Sequence, residues 1–145
     1  MQLVLVGRTA LGGLLGYLIG LERAYRGKDA GDRTFSLLAL GSAAFVGVGI
    51  ELFPFSADRV IQGVAAGVGF LGAGIIFRAG GETRGLTTAA ASWAASAVGV
   101  CAGTGLYITA VASAVLTIVL LESHQVEFLR RLARRTGAPD DPDDP

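Results

Sequence analysis

From Gly85 to Leu121 the chain runs 37 residues without a charged side chain. As a single helix this run would be about 55 Å long at 1.5 Å per residue, whereas a bilayer's hydrocarbon core is about 30 Å thick. It must fold back on itself. The punctuation inside it is Gly103, Thr104 and Gly105, so two crossings are expected, about residues 86–102 and 106–121.

The residues before Gly85 divide in the same way. Residues 3–21 carry one charge, Arg8, and residues 34–50 and 60–77 carry none. Each run is long enough to cross a bilayer. A polar loop at 22–33 separates the first two, and Pro54 breaks the chain between the second and third, flanked by Phe53 and Phe55 at the level of lipid headgroups. The start is not basic and the first apolar run ends in Leu21-Glu22-Arg23, so this run reads as a retained span rather than a cleaved signal. The expected class is all-α, a polytopic membrane protein with five transmembrane helices. With 52% hydrophobic residues, 22 glycines and a mean hydropathy of +0.57, the composition agrees.

Charge fixes the expected orientation. With five spans, one side receives Arg23, Arg26, Lys28, Arg33, Arg78, Arg84 and the tail arginines Arg130, Arg131, Arg134 and Arg135; the other receives Arg8 and Arg59. Ten basic side chains against two place the amino terminus outside and the carboxyl terminus in the cytoplasm. Residues 122–137 read as a basic amphipathic cytoplasmic tail, and 138–145, built of aspartate and proline, as a disordered acidic one. The net charge of zero supplies no basic field for nucleic acid.

Glycine is the second signal. Gly12, Gly16 and Gly20 repeat at four-residue spacing in the first span, and Gly63, Gly67, Gly69, Gly72 and Gly74 crowd the third. Each glycine costs about 1 kcal/mol against alanine in a water-soluble helix, but in lipid it lets helix backbones approach closely. With Gly99 in the fourth span, these are the expected helix-packing positions. Gly67 to Gly72 also spells Gly-x-Gly-x-x-Gly, without the preceding strand that a dinucleotide site requires. The stripes 12, 16, 20 and 63, 67, 74 suggest a parallel internal repeat of two helix pairs.

Candidate chemistry lies at the cytoplasmic helix ends. Glu22 and Arg23 close the first span, Arg33 and Thr34 open the second, Arg78 closes the third, and Arg84, Thr87 and Thr88 open the fourth. Ionisable groups at membrane depth are functional candidates because burying them is costly, while snorkelling is the plain alternative. Thr88, Ser92 and Ser96 form a hydroxyl stripe beside Ala91, Ala95 and Gly99, suited either to helix packing or to a polar cavity. Gln62 and Cys101 lie near the outer ends, Trp93 is expected to fill space against the glycine faces, and Tyr107 to anchor at the interface. The single histidine, His124, has no catalytic partner in view, no Gly-x-Ser-x-Gly elbow appears, and no metal-site spacing is present. An enzyme is not expected.

In sequence order these residues resemble the MgtC/SapB family of bacterial inner-membrane proteins. The resemblance rests on Gly20-Leu21-Glu22-Arg23, on Ala30-Gly31-Asp32-Arg33-Thr34, on Gln62 with Gly67 to Gly74, and on Arg84-Gly85-Leu86-Thr87-Thr88-Ala89-Ala90. It continues through Ser92, Trp93, Ala97, Gly99, Gly103, Gly105 and Tyr107, covering about residues 10–121. Asp32 and Phe35 depart from the family pattern. The resemblance implies a five-helix, multi-pass domain of the bacterial inner membrane linked to adaptation to magnesium limitation. The expected partners are the lipid bilayer and a second copy or another membrane complex. No cofactor is implied, with Mg2+ the one candidate ion. The alternative is a small cation channel or carrier whose polar pathway runs from Glu22 along span four.

Overall fold

The computed structural model describes residues 1–28, 30–77 and 85–122. Arg78, Arg84, His124 and the tail segments beyond Glu122 lie outside the described residues. Those residues form five α-helices and no strand: α1 (Gln2–Tyr25), α2 (Asp32–Leu52), α3 (Ala57–Phe77), α4 (Leu86–Thr104) and α5 (Tyr107–Glu122), with a short 3-10 turn at Pro54–Ser56. The first four are long and apolar enough to cross a membrane; α5 is a shorter apolar helix.

Local chemistry explains the boundaries. α1 runs a full turn past the expected end of its span because glycine stops it only at Gly27, in the left-handed region at φ 64°. The amide of Lys28 donates to the carbonyl of Arg23 and that of Gly27 to Ala24, the paired bonds of a Schellman cap. α4 ends in the same way on Gly105, at φ 85°, with Leu106 donating to Cys101 and Gly105 to Ala102. Thus Gly105 terminates α4, while Gly103 stays helical and serves packing.

α2 is the axis of the bundle, gripped by glycines from two sides. A β-carbon at Gly16 would overlap the carbonyl oxygen of Phe35, and one at Gly12 would lie 2.8 Å from the Ala43 β-carbon. At Gly20 it would lie 2.5 Å from the α-carbon of Asp32. From the other side, β-carbons at Gly99 and Gly103 would overlap the carbonyl oxygens of Ala39 and Ala43. Three backbones therefore meet along Phe35, Ala39 and Ala43. Phe35, a departure from the family pattern, is fully buried here, and Ile19, Val98 and Ala95 complete the core.

α3 behaves differently. Only 11% of its apolar window is buried, against 50% for α4. Gly63, Gly67, Gly69 and Gly74 have nothing within 4 Å of a built β-carbon, and Gly72 meets only the Ala89 β-carbon at 3.6 Å. As packing positions within the chain, the first four are corrected. Their helix touches α2 near its own start, where Val60 meets Gly49, and otherwise leans on α4. A groove of about 570 Å³ opens between α2 and α3, lined by Gly41, Phe45, Gly63, Gly67 and Leu71 among others. The two glycine stripes of the suggested repeat are therefore unequal: one is filled by a neighbouring backbone, and the other is open. Trp93 also departs from expectation, standing 56% exposed on α4.

Helix ends meet across the bundle in a consistent order. Arg8, near the start of α1, donates through Nε to the Tyr107 hydroxyl at 3.2 Å, at the start of α5. Arg26, just past the end of α1, reaches Glu122, the last residue of α5, at 2.7 Å. α1 and α5 therefore run parallel, pinned together at one end by Arg8 of α1 and at the other by Arg26 just beyond it.

Candidate functional site

The site is built at the end of the bundle where α1 finishes and α4 begins. Because α1 continues beyond Leu21, Glu22 and Arg23 lie on helix rather than in a loop, and both are buried. Their side chains are 6% and 4% exposed. Arg26 lies one turn on, so its guanidinium reaches the Glu22 carboxylate, with Nε 2.5 Å from Oε1. It also carries Glu122 on Nη2, so one guanidinium bridges a buried carboxylate on α1 and a half-exposed one on α5. Arg23 turns the other way: its Nη2 donates to the Thr88 hydroxyl at 3.1 Å, in the first turn of α4.

The cluster is neutral as a set, two carboxylates against two guanidiniums, but poorly satisfied in detail. Arg23 Nη1 and Glu22 Oε2 are 3.9 Å apart, too far for a hydrogen bond. Among the described residues neither Glu22 oxygen and neither Nε of Arg23 or Arg26 makes an aligned hydrogen bond, although all four atoms are buried. Attraction between opposite charges holds the group, and it is strong where water is excluded. Burying ions that are held mainly by charge adds little net stability and often none. Such a cluster at a membrane helix end is therefore a candidate functional site.

The hydroxyl stripe below it is used up in packing. Ser92 is fully buried and donates to the Thr88 carbonyl of its own helix at 2.9 Å. Ser96 meets Ser42 of α2 at 2.8 Å, while Ser42 donates to the Leu38 carbonyl. The donors then resolve, with Ser96 giving its proton to Ser42. In a double-mutant cycle, Ser42→Ala and Ser96→Ala should couple by about 0.6 kcal/mol, the usual size for an interhelical hydrogen bond in a membrane. Thermal unfolding in detergent would measure it, and strictly additive losses would contradict the assignment.

The expected residues thus divide. The structure brings Glu22, Arg23, Thr88 and Ser92 into one connected set, and Thr87 is half-buried on the same turn of α4. Arg33 and Thr34 are exposed on the first turn of α2 and Gln62 is exposed on α3. Sequence reasoning missed Arg26, Glu122 and Ser42. Arg26 had a usable signal, its four-residue spacing from Glu22 on a helix that had not yet met its glycine. Ser42 had none, since its partner lies 54 residues away. Among the described residues no three His, Cys, Asp or Glu side chains converge on a point that would hold a metal ion.

Comparison of the sequence with known proteins identifies a family. The model of the MgtC family matches residues 10–128. Protein MgtC of Salmonella typhimurium is 42% identical over 122 residues, 84% of this chain and 51% of that protein. Protein MgtC of Brucella abortus is 44% identical over 128 residues, 86% of this chain and 54% of its own length. The chain therefore spans about half the length of these relatives, and no solved structure matches it. The aligned region contains the buried Glu22–Arg23–Arg26 cluster and the glycine-packed α1, α2 and α4. The chain belongs to the MgtC family.

Proposed function

We propose that this is a non-enzymatic, five-span protein of the bacterial inner membrane that supports growth under magnesium limitation through contacts with other membrane helices. Family membership motivates the magnesium link. The observation that carries the mode of action is the open face of α3, where Gly63, Gly67 and Gly74 have no neighbour. Glycines at four-residue spacing favour close approach by another helix, and the chain uses that same spacing on α1 to seat α2. A lipid acyl chain gains little from such a face.

The way the ends pair supports five crossings. If α1 crosses from outside to inside, the contacts of Arg8 with Tyr107 and of Arg26 with Glu122 make α5 cross in the same direction. The excess of basic residues on the Arg26 side then orients the cluster toward the cytoplasm. Support for a cation pathway is thinner, because Ser92 and Ser96 are buried and their hydroxyls are spent, Ser92 on the Thr88 carbonyl of its own helix and Ser96 on Ser42 of α2.

The test is growth at limiting magnesium of a strain lacking its own copy and supplied with Gly67→Leu at matched membrane levels. Loss of growth with a folded protein is expected. Full growth would remove the open face from the account.

A further inference from the structure

We propose that the inner half of α5 is a hinged flap, latched to the buried charge cluster by Arg26 and released when Glu122 lets go. The proposal rests on the reading that the inner-end cluster is a working surface, and it adds the means by which that surface is regulated.

Three observations carry it. First, α5 is anchored unevenly along its length. Its buried residues are Ala110 and Ala114, both in the outer half. Beyond them Val115, Leu116, Val119 and Leu120 are exposed, and the side facing the bundle is only half-buried, at Thr117, Ile118 and Leu121. Second, the end of this weakly packed half is held by an ion pair, Arg26 Nη2 to Glu122 Oε2 at 2.7 Å. Third, the two arms of Arg26 are unequal. Its Glu22 arm ends on a carboxylate that is 6% exposed, whereas its Glu122 arm ends on one that is 51% exposed.

The inequality decides which arm opens. A solvated ion pair is weak and screened, while separating a buried one leaves an uncompensated charge. Arg26 therefore stays with Glu22 when the flap moves, and Glu122 leaves. The pivot is at Ala114, the last buried residue of the helix. Opening hydrates Arg26 and, behind it, the carboxylate of Glu22 and the Arg23–Thr88 contact. Whatever pulls on the chain beyond Glu122 is then coupled to a cluster that is otherwise shut off from water. The outer end does not take part, because Arg8 also holds the Gly103 carbonyl and lies against Gly105.

Full-length protein in nanodiscs, carrying Cys101→Ser and a single cysteine at Leu121, tests the latch by the rate of labelling with a soluble maleimide. Glu122→Gln should speed labelling about threefold, the size expected for the loss of one solvated ion pair. Hydrogen exchange over residues 20–26 should rise with it. Glu122→Asp, which keeps the charge, and Tyr107→Phe, which loosens only the outer end, should leave both near wild type. An unchanged rate in Glu122→Gln overturns the latch, as does an equal rise in Tyr107→Phe, which would mean general loosening. Growth at limiting magnesium separates this from the reading beneath it. Labelling that responds as expected while Glu122→Gln grows normally at limiting magnesium would sink that reading and leave the latch standing.

Discussion

Leucine at Gly16 should remove the folded protein from the membrane, whereas leucine at Gly67 should leave folding intact. The two positions look alike in sequence, each a glycine in a small-residue repeat of an apolar helix. In the structure a β-carbon at Gly16 already overlaps the Phe35 carbonyl, and at Gly67 it meets nothing. Adding even small groups to a packed core costs about 1–3 kcal/mol, and here the obstacle is backbone that has no rotamer to change. A whole leucine side chain should cost more than about 3 kcal/mol, enough to empty the folded state of a marginal protein. Gly99→Leu should behave as Gly16→Leu does, since its obstacle is the Ala39 carbonyl on the opposite side of α2. Membrane level and thermal midpoint in detergent read both effects. Equal tolerance of the two substitutions would contradict the packing described.

Replacing Glu22 with glutamine should destabilise the bundle by about 3–5 kcal/mol, the usual penalty for stranding one partner of a buried ion pair. Arg23 and Arg26 would then face each other across an uncharged amide, with only Arg26 retaining a carboxylate, that of Glu122. Adding Arg23→Met should recover part of the loss, because the stranded charge goes with it. Arg33→Gln, a change to an exposed arginine from the neighbouring family motif, should stay within about 0.5 kcal/mol. Unfolding midpoints of the four proteins in one detergent decide the matter. A Glu22→Gln loss no greater than that of Arg33→Gln would show that the cluster is hydrated rather than buried.

Much of this architecture was legible in the sequence, because bilayer thickness and helical rise leave few ways to arrange uncharged runs. The spans expected at 34–50 and 60–77 became α2 and α3 within a few residues, and the fold-back at Gly103 to Gly105 is where α4 ends and α5 begins. The packing of Gly12, Gly16, Gly20 and Gly99 was legible for the same reason, since their spacing defines a face. What spacing cannot say is whether a face is filled. Gly63 and Gly67 obey the same pattern as Gly12 and Gly16, but only the structure shows α3 standing off from α2.

The site was half legible. Glu22, Arg23 and Thr88 were visible as ionisable or polar groups at helix ends, but their union depends on α1 running on past Leu21 until Gly27 stops it. That extra turn brings Arg26 within reach of Glu22 and Glu122, which converts an expected charged loop into a buried cluster. Ser42 and Ser96 met because Gly99 and Gly103 draw α4 onto α2, a consequence of tertiary contact that no local pattern records.

The proposed orientation puts Glu22, Arg23 and Arg26 on the cytoplasmic side, which requires α1 to cross the bilayer from outside to inside. Single cysteines at Lys28 and Phe55, in a Cys101→Ser background, test this in intact cells with an impermeant maleimide. The account predicts labelling at residue 55 from outside and at residue 28 only after the membrane is opened. Labelling at residue 28 in intact cells, with residue 55 protected, would contradict it.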